Sequence, residues 1–179
     1  MSGPSILALD LSLTATGWAT IRGNVRGHGL VPTPAKLREG ARLAWIRDDL
    51  RDLTATYLAG PPALVVIEDL PMHAKSAGLT GQLHGAMKLH AHDAGWAPPV
   101  LIPAATLKTL ATGRGNATKI DMVVAARDRL GYDGTDDNVA DAMWLLEVGL
   151  HIVAPDHAVS LPKTHLRALD KARPRFEVS

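Results

Sequence analysis

Three acidic residues interrupt apolar runs at points where a buried charge needs a partner. Asp10 ends Ile6-Leu7-Ala8-Leu9-Asp10, Glu68 ends Leu64-Val65-Val66-Ile67-Glu68, and Asp141 lies within Asp136-Asp137-Asn138-Val139-Ala140-Asp141-Ala142-Met143-Trp144. A carboxylate that follows several apolar residues is costly to bury unless something cationic meets it, so two such strands and one such helix imply a shared partner. A divalent cation is the simplest choice. Hard cations such as Mg²⁺ take carboxylate oxygens together with substrate phosphate, and a chain without cysteine offers no competing thiolate. Cleavage of a phosphodiester is the chemistry that such a cluster suits.

The elements that must carry these acids can be read from apolar spacing. Residues 5–10 form a buried strand, residues 14–17 a turn, and 18–22 with 25–31 two further strands around Gly23-Asn24, giving an antiparallel meander. Over 36–58 the positions Leu37, Ala41, Ala44, Ile46, Leu50, Leu53 and Tyr57 recur at helical spacing, and Gly60-Pro61-Pro62 ends that helix. The continuous apolar run 64–67 fits a central parallel strand covered on both faces. Residues 72–81 read as a mobile loop overhanging Glu68, followed by a helix over 83–94, a strand over 98–103, a helix over 104–111 and a glycine-rich turn over 112–117. Helices over 118–130, closed by Gly131, and over 138–152 complete the chain. The predicted architecture is α/β, a mixed five-stranded sheet of three antiparallel strands and then parallel strands, flanked by helices.

With 46% hydrophobic residues in 179, the chain can build one buried core and has little room for a second. The expected organisation is one domain over 1–155 and a basic C-terminal tail over 156–179. No apolar run is long enough to span a membrane and no signal segment precedes Ile6, which places the expected site of action in the cytoplasm, of a bacterium or of a phage-infected host, with no membrane partner. A net charge of +1 excludes little, but its distribution is uneven: Lys163, His165, Arg167, Lys171, Arg173 and Arg175 face a single Asp170. That stretch reads either as a solvated, partly disordered terminus or as a nucleic-acid contact. On the second reading, removing residues 161–179 weakens DNA affinity and flattens its salt dependence with the fold intact.

Taken in order, Asp10-Leu11-Ser12 with Thr16-Gly17, Ile67-Glu68, Lys108 ahead of Thr112-Gly113-Arg114-Gly115-Asn116-Ala117-Thr118-Lys119, and Ala140-Asp141-Ala142 resemble the RuvC family of Holliday junction resolvases, nucleases of ribonuclease H-like fold. The resemblance runs from about Ile6 to Leu150. It implies that Asp10, Glu68 and Asp141 ligate Mg²⁺ or Mn²⁺, that Lys108 and Lys119 lie near the DNA backbone or scissile phosphate, and that the protein is a homodimer resolving four-way junctions by symmetric nicking. Two ions about 4 Å apart can activate a water and stabilise the departing 3′ oxygen. Arg114 and Lys75 join the two lysines as DNA contacts. Lys119 counts with Asp10, Glu68, Asp137 and Asp141 among the catalytic candidates. Gly113-Arg114-Gly115 can approach phosphate through backbone N–H groups, with Asn116 or Thr118 opening a helix whose N-terminus favours an anion; a glycine-capped connection between helices would look the same.

Two features depart from the family pattern. The position three before Asp141, usually Asp or His, is Asn138 here, with Asp137 one residue earlier; both are candidate metal ligands, Asp137 the stronger because it is a carboxylate, while a plain capping role for residues 136–138 is the alternative. The segment after Glu68 is Asp69-Leu70-Pro71-Met72, without the family's stacking aromatic, leaving apolar wedging by Leu70 or Met72, or backbone recognition alone. The unusual acidic motif and the basic tail beyond Pro162 point to a phage or phage-derived member. His73, His84, His90 and His92 lack the spacing of a helical zinc site and read as solvated surface groups; the four Trp read as core or partner-facing. Asp10 followed by Ser and Thr also resembles the phosphate hairpin of actin-like sugar kinases, but the chain is too short for that fold's second lobe. The function expected is metal-dependent junction cleavage, with broader debranching of flaps, forks and Y-junctions as one alternative and non-catalytic binding of branched nucleic acid as the other.

Overall fold

The computed structural model describes residues 3–70 and 77–176. Five strands, β1 (Ser5–Asp10), β2 (Ala15–Arg22), β3 (Val25–Pro32), β4 (Leu64–Glu68) and β5 (Val100–Ile102), form one sheet in the order β3-β2-β1-β4-β5. β2 is antiparallel to both β1 and β3, whereas β4 runs parallel to β1 and β5 parallel to β4, as the sequence predicts. Five longer helices surround it: α1 (Glu39–Leu58), α2 (Ala77–Asp93), α3 (Ala104–Thr112), α4 (Lys119–Leu130) and α5 (Asp137–Val153). Two single-turn helices follow, α6 (Lys163–Leu166) and α7 (Leu169–Ala172).

Alternation along the strands divides the interior in two. On β1, Leu7 and Leu9 face a cluster with Ile46 and Leu50 of α1 and Leu83 and Met87 of α2; Ile6 and Ala8 face the opposite cluster, built on Trp144, Leu145 and Val148 of α5. β4 repeats the parity: Val65 and Ile67 point to α1 and α2, and Val66 to α5. α5 is apolar nearly all round because it is wedged between the sheet and α3, α4 and α7. Fully burying each large apolar side chain there contributes about 1.5–3 kcal/mol.

Within this apolar helix Glu147 is completely buried, receiving Arg26 Nη1 of β3 at 2.5 Å and the Val159 N–H at 2.9 Å. Arg26 also donates to the His157 carbonyl at 2.6 Å, so one ion pair ties β3, α5 and the chain beyond α5 together.

Three sequence expectations are corrected. β2 begins at Ala15, taking in residues predicted as a turn: Thr16 is fully buried and Gly17 pairs with Asp10, so the turn is displaced to residues 11–14. α2 is helical from Ala77, over residues assigned to a loop, because a helix nucleated by the packing of Leu83 and Met87 extends through Gly78 and Gly81 at about 1 kcal/mol each. The segment after α5 is not a solvated terminus up to residue 176. Leu161, His165, Ala168, Leu169 and Ala172 are buried in the α5 cluster or against α3, and the His165 ring bonds the Leu110 carbonyl at 2.8 Å through Nδ1. Removing residues 161–179 therefore strips the core, contrary to the expectation that the fold survives.

Candidate active site

Strand parity places the acids before any side chain is considered. Asp10 shares the face of Ile6 and Ala8, and Glu68 that of Val66; both faces look toward α5. The parallel register pairs Leu9 with Ile67, so one step further Asp10 falls beside Glu68, at the carboxyl ends of adjacent parallel strands. α5 crosses that end of the sheet and brings Asp141 down onto the pair. One oxygen from each of Asp10, Glu68 and Asp141 lies within 4.8 Å of the others.

The close crossing depends on Gly17. A β-carbon there would stand 2.0 Å from the Asn138 carbonyl oxygen and 2.8 Å from the Val139 nitrogen, so only glycine lets the first turn of α5 lie on β2. The Asn138 amide nitrogen donates to the Ala15 carbonyl at 2.9 Å, fastening the same contact, while Asp136 caps the helix by accepting from the Val139 N–H at 3.1 Å.

Three converging carboxylates repel one another. Burial, then the neighbouring Glu68, pushes Asp10 up to about 7; burial, then Asp141, does the same to Glu68; and burial, then Asp10, to Asp141. Lys108 and Lys119 offset part of this for Glu68 and Asp141. The Asp141 Oδ1 atom is buried without a hydrogen-bond partner. An oxygen-only donor set, mutual repulsion and an orphaned buried carboxylate oxygen together fit a hard divalent cation.

The trio opens into a cleft of about 430 Å³ that also includes Leu11, Asp69, Leu70, Thr80, His84, Lys108, Lys119 and Asn138. Of the candidate residues, the structure thus unites Asp10, Glu68, Asp141, Asn138, Lys108 and Lys119. Asp137 stands beside them with its carboxylate in an ion pair with Lys119, which holds that ammonium charged and raises its pKa. Arg114 stands apart on the turn before α4, paired with Asp121 at 3.5 Å. The anion site expected at the start of α4 is already satisfied: Thr118 and Asp121 form a reciprocal capping box, so a carboxylate of the chain itself complements that helix end. Lys75, Met72 and His73 lie outside the described residues. Leu70 does line the cleft.

Two participants escaped the sequence reading. His84 was assigned to the surface, yet it is buried in the wall of the cleft, its Nδ1 without a partner, and burial followed by Lys88 depresses its pKa. The signal was present, since His84 lies three residues before Met87 and seven before Ala91, on the buried stripe of α2. Arg175 reaches back from the C-terminal segment to donate to the Leu101 carbonyl at 2.8 Å and to Asp69 at 3.2 Å, beside Glu68. No local pattern announces a contact across 106 residues.

No protein-family model matches the sequence, and no curated protein matches it. Solved structures do. Thermus thermophilus RuvC superposes with a TM-score of 0.62 at 20% identity, covering 79% of this chain and 90% of that one. The same protein in complex with a Holliday junction substrate gives 0.65 at 19% identity with the same coverage. The fold is therefore ribonuclease H-like, a mixed sheet with helices on both faces, which is the fold that the sequence resemblance implies.

Proposed function

We propose that this chain is a divalent-metal-dependent endonuclease that resolves four-way DNA junctions by paired, symmetric nicks. The observation that carries the reading is the convergence of Asp10, Glu68 and Asp141 within 4.8 Å, at the strand ends of a RuvC-like fold and flanked by two lysines. In this reading the three carboxylates hold Mg²⁺, or Mn²⁺ in its place, two ions per site, with Asn138 at the rim as a neutral oxygen donor. Bound there, the ions supply an activated water and neutralise charge on the departing 3′ oxygen, leaving 5′ phosphate and 3′ hydroxyl ends.

The chain's own groups do the rest. Lys108 and Lys119 both line the cleft and place positive charge near the carboxylates, where an entering phosphate meets them. Asp137 fixes Lys119 by the ion pair, and its nearness to Asp10 and Asp141 puts a fourth negative charge beside the metal position. With Leu70 rather than an aromatic on the cleft wall, recognition rests on the bent backbone more than on stacking. A substrate with two equivalent strands to cut calls for two sites about a two-fold axis, hence a homodimer.

Cleavage of end-labelled four-way junction, flap and linear duplex with Mg²⁺, Mn²⁺ or EDTA, comparing the wild type with Asp141→Asn, tests this. Paired nicks confined to the junction, abolished by EDTA and by the substitution, are expected. Equal cutting of flaps replaces junction resolution with general debranching, and junction binding without cleavage under any metal replaces nuclease with binder.

A further inference from the structure

Outside the cleft, the C-terminal segment builds a second surface suited to a polyanion. Between α3 and the α6–α7 turns lies a groove of about 320 Å³ whose wall includes Thr106, Thr109, Gly115, Arg167 and Lys171. Arg167 and Lys171 are exposed, and among the described residues neither side chain has a salt bridge or hydrogen bond. Their backbone is nevertheless fixed. Buried Ala168, Leu169 and Ala172 alternate with them, and the His165 contact to Leu110 pins the segment to α3. Two cations are thus held on a rigid wall, which lowers the entropy lost when an anion is bound.

Position gives the groove its meaning. Lys108 points into the carboxylate cleft while Thr109, the next residue of α3, lines the groove, so a single helix separates the two. A helix is about 10 Å across, the rise of roughly three nucleotides of one strand at about 3.4 Å each. Gly115 contributes no side chain to fill the groove. Asp170, the one acid among residues 161–176, does not line it.

We infer that this groove binds the DNA backbone of a junction arm, about three nucleotides from the phosphate in the cleft, and that the C-terminal segment is a folded DNA-binding element. The inference rests on the reading of the cleft as a DNA site. The Asp141→Asn protein, expected to bind without cutting, provides the background for measuring junction affinity over a salt series. Arg167→Ala with Lys171→Ala should make the log–log salt slope shallower by about 2 and weaken affinity about tenfold at low salt, as expected for two lost phosphate contacts. Lys163→Ala with Arg173→Ala removes the same charge from the same segment outside the groove and should have less than half that effect. Thermal melts check that both pairs remain folded, and Arg167→Gln with Lys171→Gln repeats the test if the alanine pair does not. Unchanged slope in the groove pair, or an equal loss in both pairs, overturns the groove. If the Asp141→Asn protein itself binds no junction, the DNA reading of the cleft fails first and takes the groove with it, a result distinguishable because all variants then fail alike.

Discussion

At Asp10, Glu68 and Asp141 the fold holds protons that the unfolded chain would release. Their pKa values near 7 exceed the ordinary values of 3.8 and 4.5, so between about pH 4 and pH 7 the native state binds more protons than the denatured one. Stability of the metal-free protein is therefore highest below the unfolded values, falls as pH rises through the folded values, and carries the full penalty above them. Thermal melts in EDTA should show a lower Tm at pH 8 than at pH 5, with Mn²⁺ restoring the loss at pH 8 and doing little at pH 5. Because the three groups titrate together, Asp141→Asn should flatten the profile and stabilise the metal-free protein at pH 8, on the order of 1–3 kcal/mol. Parallel profiles for wild type and variant would contradict this. The ion pair with Lys119 separates Asp137 from the trio in a measurable way. Mn²⁺ affinity measured by calorimetry should fall at least tenfold in Asp141→Asn and by less in Asp137→Asn, whose loss falls on cleavage through a loosened Lys119.

At the level of elements, the site exists because α5 lies unusually close to β2. Gly17→Ala places a methyl group against backbone atoms of residues 138 and 139 that cannot rotate away, so the first turn of α5 must move and carry Asp141 with it. The expected outcome is a loss of about 3 kcal/mol or more in denaturant melts and loss of metal binding. Gly85 in α2 is the counterexample. A β-carbon there meets nothing within 4 Å, and Gly85→Ala should stabilise the protein by about 0.5–1 kcal/mol through helix propensity alone. Equal melts for the two variants would refute the close-contact account of Gly17.

For the molecule as a whole, the C-terminal segment and the Arg26–Glu147 pair close the structure. Truncation after Ser160 removes Leu161, His165, Ala168, Leu169 and Ala172 from the core and should abolish the cooperative melt rather than merely weaken DNA binding. Arg26→Ala leaves Glu147 buried with only the Val159 N–H to bond, and should cost about 3 kcal/mol in urea unfolding. A fully cooperative melt from the truncated chain would show that residues 161–176 add a surface and not a core.

Apolar runs of strand length and helical periodicity were sufficient to determine the sheet, its helices and the three acids, since each is a local pattern that burial energy reads one residue at a time. Asp10 and Glu68 were legible because a charge ending an apolar run is conspicuous, and Asp141 because it interrupts the apolar positions of a helix. Whether residues 15–17 turn or pair, where α2 begins, the pairing of Asp137 with Lys119 and the folding of residues 161–176 were decided only in three dimensions. Each depends on what another part of the chain presents: the backbone of α5 against Gly17, Lys119 against Asp137, the flank of α3 against His165. Such contacts join residues far apart in sequence, and their free energy has no local signature until the chain has closed on itself.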